Sequence, residues 1–301
     1  MISSAKPRIA FVGSDYYRQF AQSAGSCEAE LLGAAFAEQG YHLEVVSAYD
    51  PQVRWAEFAA VLPLGFWGYH RDVAAFLRWT VELGQKGARL INAPEVLRWN
   101  QDKSYLLDLR RCGAPVAPLL HFAAGSRPDL PAALARVGWE RYVLKPTVSA
   151  NAEDTIVASG PPDAATLALA DRLLQRCGLL VQPFFAEIQD DGEWSLIFAE
   201  QELVHAVIKR PRAGDFRSQP DHGGTVSKKD PSDEVIAQAL ATVRAAGLLC
   251  GPLAYERVDG FVGKQGLQLI ELELIEPYLF LNHATAAAPR RLAQAVLRQL
   301  G

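Results

Sequence analysis

The chain has 301 residues, half of them hydrophobic and 21% charged, with a net charge of −4; this is the profile of a water-soluble globular fold and excludes a disordered chain. With no basic block and no apolar run of bilayer length, neither nucleic acid nor a membrane is expected as a partner. Cys27, Cys112, Cys177 and Cys250 are far apart, with no Cys-x-x-Cys pair and no His at ligand spacing, so reduced, buried thiols are expected and a zinc site is not.

The first residues, Met1 to Arg8, lack an apolar signal core, which predicts a cytoplasmic location. Ile9–Gly13 reads as a buried strand and Glu28–Gln39 as a helix stopped by Gly40. Strands at Leu43–Val46 and Ala59–Leu64 follow, then a helix from the spacing of Val73, Phe76, Leu77, Thr80 and Val81, and a strand at Arg89–Ile91. Alternation of this kind predicts a parallel α/β lobe to about residue 95. Asn100 reads as the N-cap of a helix running through Leu106 and Leu109 to a stop at Gly113. A second compact lobe is expected from a strand after Leu119, a helix at Leu130–Val137, a strand at Tyr142–Lys145, a helix at Asp163–Cys177 and a strand at Leu179–Gln182.

Strands dominate the remainder: Ser195–Ala199, Leu203–Lys209, Leu253–Asp259 and Leu267–Ile275, with a helix at Ser232–Ala246 between them and a last helix starting at Pro289. The stretch from Arg212 to Asp233 is rich in Gly, Pro, Asp and Ser and reads as a long functional loop.

The most informative segment is Leu267-Gln-Leu-Ile-Glu-Leu-Glu-Leu-Ile-Glu-Pro277. Strand alternation places Leu267, Leu269, Glu271, Glu273 and Ile275 on one face and Glu276 on the other, unless a bulge before Pro277 turns it back, so Glu276 is left out of the metal set. Two adjacent, partly buried carboxylates repel each other unless a cation separates them, and a hard divalent ion suits their oxygens. Taken alone, the strand fits a metal site and a solvated edge equally. Asp259 shifts the balance, because a strand ending there and pairing with this one brings three carboxylates and Arg257 together.

Lys145 lies inside the apolar run Tyr142-Val-Leu-Lys-Pro146 and needs a partner if buried. The small polar loop after it, Thr147 to Thr155 and including Ser149, can lay backbone N–H groups on phosphates, although it has no glycine. Lys103, in the first turn after Asn100, adds to a phosphate site. Gln182-Pro183-Phe184-Phe185 and Glu187 suit an adenine and its ribose, with core aromatics as the plain alternative. Lys209, Arg210, Arg212 and Arg217 offer anion-binding groups, with a solvated basic loop as the alternative. Neither His205 nor His222 is assigned a catalytic role.

In order, Lys103, Lys145, Gln182-Pro183-Phe184, Glu187, Lys209, Arg217, Asp259 and Glu271-Leu-Glu273 resemble the ATP-grasp superfamily from about residue 90 to 290. Trp67-Gly-Tyr-His70, Trp99-Asn-Gln-Asp-Lys103, Gly192-Glu-Trp-Ser195, His222-Gly-Gly224 and the strand ending at Pro277 are most similar to the branch of glutathione synthetase, the ribosomal-protein glutamate ligases and the O-ureido-D-serine cyclo-ligase.

The resemblance implies an α/β (α+β) architecture: a pre-ATP-grasp domain over 1–98, an ATP-grasp small lobe over 99–184 and a large lobe with the metal site over 185–301. It also implies an ATP-dependent carboxylate–amine ligase acting on small molecules through an acyl phosphate. Lys103, Lys145, Ser149 and Thr155 go to the phosphates, Gln182 to Phe185 to adenine, and Glu187 to the ribose. Asp259, Glu271 and Glu273 go to two Mg²⁺ ions, with Mn²⁺ as a substitute. Arg217, Lys209 and Arg257 go to the reacting groups, and a homodimer is common among similar enzymes. The chain departs from the pattern at Glu273, where many members have Asn, and at Gly68, where similar chains have Asp. Two alternatives stay open: a phosphotransferase with a stable phospho-product, and a nucleotide-binding regulatory protein without turnover.

Overall fold

The computed structural model describes residues 6–24, 28–212, 214–218 and 222–301. Cys27 lies outside them, as does part of the 212–233 loop. Three sheets organise the chain. In the first, β1 (Arg8–Gly13) lies between β2 (His42–Val46) and β3 (Phe58–Gly65), all parallel. α1 (Asp15–Ala24), α2 (Glu28–Glu38) and α3 (Val73–Gln85) accompany them. A parallel strand covered on both faces reads as a continuous apolar run, and the Ile9–Val12 segment is fully buried. The strand expected at Arg89–Ile91 is reduced to one bridge, Leu90 beside Val61. At Gly65 a Cβ would lie 2.6 Å from the Phe11 ring and 2.8 Å from the Val12 carbonyl, so glycine permits the close approach from which Phe66 to Tyr69 leave the sheet.

Two short helices follow, α4 (Pro94–Asn100) and α5 (Tyr105–Arg111), and they correct one expectation. Asn100 ends α4 and caps nothing. Its buried amide donates to the Leu272 carbonyl (2.8 Å) and its oxygen accepts from Leu274 N–H (3.0 Å). Lys103 therefore sits in the turn between the two helices, and the expected helix-dipole argument does not apply to it.

The second sheet is antiparallel, in the order β4 (Leu120–Phe122), β7 (Leu179–Pro183), β5 (Arg141–Pro146), β6 (Ile156–Ser159). α6 (Leu130–Val137) and α7 (Ala164–Arg176) pack Leu130, Leu134, Leu169 and Leu173 onto it. Asp129 and Asp163 cap these helices by accepting from Ala132 and Thr166 N–H. Although a lobe was expected from residue 99, its sheet begins at β4.

The third sheet is antiparallel, in the order β10 (Thr225–Lys228), β9 (Glu202–Arg210), β8 (Glu193–Ala199), β11 (Glu256–Gly263), β12 (Gly266–Glu273). α8 (Ala186–Asp190) leads into it; α9 (Asp233–Cys250) packs on β11 and β12 and also on α4 and α5, while α10 (Ala288–Arg298) packs against α2. The strand expected from Leu253 starts at Glu256, because Leu253 to Tyr255 are held by the buried Asn92 amide.

The register of β11 and β12 skips Ile270. One unpaired residue reverses the facing of everything beyond it. Leu267 and Leu269 consequently share a core cluster with Leu272 and Leu274, not a face with Glu271 and Glu273. On the far side of the bulge Leu269 exchanges hydrogen bonds with Pro115 and Ala117, which fixes it to the preceding segment.

Cys177 is buried, but Cys112 is exposed, contrary to the expectation of uniformly buried thiols; both are free. Among the described residues no helix is long and apolar enough to cross a membrane.

Candidate active site

A cleft of about 760 Å³ is lined by residues of the second and third sheets and by Tyr16 and Trp67 to Arg71 of the first lobe, a size that suits a nucleotide-scale ligand. One wall is the β11–β12 ladder, where Asp259 lies opposite Glu271 and Arg257 opposite Glu273. Arg257 reaches Asp259 through Nε (3.0 Å) and Nη2 (2.7 Å), pairs with Glu273, and donates through Nη1 to the Tyr278 carbonyl (3.1 Å). Lys209 on β9 adds Glu193 at 2.6 Å and Asp259 at 3.5 Å, while Ser195 donates to Asp259 at 2.6 Å. Burial opposes the Asp259 charge, but Arg257 and Lys209 outweigh it and hold the carboxyl below its ordinary value. Burial likewise opposes the charge on Lys209, yet Asp259 and Glu193 leave it raised. At Glu273 burial wins over Arg257 and pushes the carboxyl up to about 8. Among the described residues no three ligating side chains converge on one point; each acid of this wall faces a cation of the chain instead.

Facing this wall are the two expected lysines. Lys103 is 7% exposed, donates to the Ser149 carbonyl (2.6 Å) and pairs with Glu271 (3.1 Å). Its own backbone N–H donates to the Thr147 carbonyl, tying the α4–α5 turn to the loop after β5. Lys145 on β5 makes no hydrogen bond or ion pair among the described residues, and burial lowers its pKa to about 8 against the pull of Glu271. Asn151, Ala152 and Asp154 in the loop beyond it have φ of 52°, 57° and 55°, a left-handed region that costs non-glycine residues about 1 kcal/mol each. Contacts that hold the loop there include His70 to Glu153 (2.9 Å), Arg176 to Asp154 (2.7 Å) and His222 to the Asn151 carbonyl (3.3 Å).

Along the β7 edge, Gln182, Pro183, Phe184 and Phe185 line the cleft. The Gln182 Nε2 is buried without a partner among the described residues. Phe185 packs on Phe261 (4.3 Å) and Phe184 on the Arg141 guanidinium (3.5 Å). The opposite end is aromatic, with Tyr16, Trp67, Tyr69 and Tyr278. Trp67 donates to the Glu276 carbonyl (3.2 Å) and packs edge-on to Tyr278 (6.0 Å). Glu28 anchors the segment behind Tyr278 by accepting from Leu279 N–H (2.6 Å), and burial pushes its carboxyl up to about 8.

Residues 9–92 match the family described as the N-terminal domain of D-cycloserine synthetase DcsG. The cycloserine biosynthesis protein DcsG of Streptomyces lavendulae is 30% identical over 279 residues, 87% of this chain and 90% of that one. The crystal structure of D-cycloserine synthetase DcsG superposes with a TM-score of 0.84 at 27% identity, covering 98% of this chain and all (100%) of that one. An ATP-grasp RimK domain protein from Sphaerobacter thermophilus DSM 20745 shares the fold at TM-score 0.65 and 18% identity, over 96% of this chain and 99% of the other. The chain belongs to the ATP-grasp ligase family.

As an ATP-grasp ligase it is an ATP-dependent enzyme that joins a carboxylate to an amine. Its cleft gathers Lys103, Lys145, Ser149, Thr155, Gln182 to Phe185, Lys209, Arg217, Arg257, Asp259, Glu271 and Glu273. Glu187 is not among the lining residues: it lies on the first turn of α8, its Oε1 near Gly263, while Ile188 and Gln189 of the same helix reach the cleft. Arg217 is gripped by Asp215 through two hydrogen bonds (3.0 and 2.8 Å). Sequence reasoning set Glu276 aside on strand alternation, but β12 ends at Glu273 and the bends beyond it turn Glu276 into the cleft; the signal available was Pro277, which cannot extend a strand. Glu193 and Ser218, which bond each other beneath Lys209, were also missed. Acids in apolar strands are the trace they leave in sequence.

Proposed function

We propose that this ligase activates a small, amino-acid-like carboxylate as its acyl phosphate. The carrying observation is the meeting, in one cleft, of the unpaired Lys145 and the buried Lys103 with Asp259, Glu271 and Glu273. Lys103, Lys145 and the Ser149–Thr155 loop hold the phosphates, and Gln182, with its orphan amide nitrogen, lines the adenine site with Pro183, Phe184 and Phe185. Glu187, the residue expected at the ribose, needs α8 to turn to reach it. The division into lobes at 1–98, 99–184 and 185–301 belongs to this reading.

Hard carboxylate oxygens on two paired strands fit Mg²⁺ in donor chemistry, and the raised Glu273 carboxyl fits a site short of positive charge. Asp259, Glu271 and Glu273 hold the metal, two ions being the reading, with Mn²⁺ as a substitute. When bound, it neutralises the charge that builds on the β- and γ-phosphates. Phosphate oxygens compete for Lys103, and that competition frees Glu271 from its present ion pair.

In the first step a substrate carboxylate oxygen bonds to the γ-phosphorus and the bond to the β-phosphate oxygen breaks, releasing ADP. Arg217, Lys209 and Arg257 stabilise the charge in flight and orient the acceptor. An amine nitrogen then attacks the acyl carbon, loses a proton, and expels phosphate. Similarity to a cycloserine biosynthesis protein favours an amine within the same molecule, hence ring closure. A phosphate-release screen over amino acids, small peptides and hydroxamate or ureido analogues, with and without a second amine, tests this. Release with one substrate alone points to ring closure, which a product mass below that of one substrate separates from self-condensation, and phosphorus NMR showing a stable phospho-product in place of free phosphate refutes the ligase chemistry.

A further inference from the structure

Every acidic side chain lining the cleft has a basic side chain of the chain as partner, with one exception among the described residues. Glu193 and Asp259 have Lys209, Glu271 has Lys103, Glu273 has Arg257, Glu153 has His70 and Asp154 has Arg176. The Glu276 carboxylate has neither ion pair nor hydrogen bond, although its backbone carbonyl is fixed by Trp67. Its position is also specific. It stands at the aromatic end, between Trp67 and Tyr69 of the first lobe and Tyr278 of its own loop, away from the unpaired Lys145 on β5. Glu276 is half-buried, and burial and the neighbouring Glu273 penalise its charge, so a cation arriving here meets an acid with no cation of its own. Aromatic walls favour the same guest, because ring faces attract ammonium groups.

We propose that Glu276 receives the ammonium group of the substrate and so selects amine-bearing carboxylates over their hydroxy counterparts. This rests on the small-carboxylate reading above. The geometry allows it: Glu276 is three residues beyond Glu273, a chain length of at most about 10 Å. A small amino acid with its carboxylate beside Arg257 and Glu273 thus presents its ammonium to Glu276, and Trp67 and Tyr278 fix the loop that carries the acid. Lys145 and Glu276 then form a matched pair, one cation left for phosphate and one anion left for the amine.

The test measures phosphate release from ATP with hydroxylamine as the trapping amine. It uses alanine, serine and O-substituted serines, each beside its 2-hydroxy counterpart, on the wild type and Glu276→Gln. The wild type is expected to prefer the amine-bearing member by about 10- to 100-fold in kcat/KM, the worth of a charge-assisted hydrogen bond. Glu276→Gln should erase the preference, chiefly through KM, while binding Mg²⁺ and AMP-PNP as the wild type does by calorimetry, which also shows that it is folded. A variant that keeps the preference overturns the assignment and leaves the ligase reading intact. A variant whose defect is a raised Mg²⁺ requirement also overturns it, since Glu276 is then a metal ligand. Phosphate release with no carboxylate of either kind refutes the small-carboxylate reading, and this inference with it.

Discussion

The two long walls of the cleft solve opposite electrostatic problems. On the β11–β12 wall, Asp259 and Glu273 share Arg257, and Lys209 joins them, so buried charges of both signs are closed on one another. On the β5 wall, Lys145 stands without a partner, and its lowered pKa records the cost. A closed network is rigid and must open to accept a ligand, whereas an unpaired charge is destabilised until a ligand arrives. The cleft therefore keeps its acids ordered and leaves Lys145 open to an anion.

The largest effect should come from breaking the closed wall. Asp259→Asn removes the group that Arg257, Lys209 and Ser195 share; ATP turnover should fall at least about 10³-fold, roughly 4 kcal/mol of transition-state stabilisation, with circular dichroism unchanged. Near-wild-type turnover would remove Asp259 from the metal set. Next, Asn100→Ala strips the buried support from Leu272 and Leu274, which flank Glu273. The Leu274 N–H is orphaned while the Leu272 carbonyl keeps the Tyr105 hydroxyl, so the loss should be about 2 kcal/mol in denaturant unfolding, and an unchanged midpoint would show that the acidic strand needs no such brace.

Lys145→Met addresses the open wall and should weaken AMP-PNP binding by about 2 kcal/mol, read by calorimetry. The sign of the pH dependence sharpens this. Free Lys145 loses its proton near 8 and a bound phosphate restores it, so wild-type affinity is level below about pH 8 and falls as pH rises above it. Lys145→Met should lack that fall, and a fall that persists would place the titration elsewhere.

The smallest effect concerns Glu256, behind the closed wall, where both carboxyl oxygens are buried without partners among the described residues and burial raises the pKa to about 8. The native state binds this proton more tightly than the unfolded chain, whose carboxyl titrates near 4.5. Its stabilising contribution is therefore full below 4.5 and is lost as pH rises through 8. Glu256→Gln should gain about 1 kcal/mol at neutral pH and flatten thermal stability across that window; a lower Tm than wild type at pH 7 would show that the carboxylate has a hidden partner.

Much of this architecture is legible along the chain. Apolar runs bounded by turn residues mark β1, β5, β7 and β8, and helical spacing with Asp or Ser caps marks α6, α7 and α9. Departures occur where a distant element competes with a local preference. Asn100 is a good cap by type, but it is drawn into the sheet by Leu272 and Leu274. The alternation of β12 breaks at Ile270, next to Leu269, whose backbone is bonded to Pro115 and Ala117.

By itself the sequence determined the charges that must be used: lysines and acids placed in apolar strands, which burial makes too costly to leave idle. Only the tertiary structure decided which of them are already satisfied. Partners 16 to 172 residues apart, such as Arg257 with Glu273 and Asn100 with Leu272, are set by packing of whole sheets, and a period-two rule fails at the first bulge or bend. For that reason the acid predicted to point away, Glu276, stands in the cleft, and the acids predicted to await a metal face cations of the same chain.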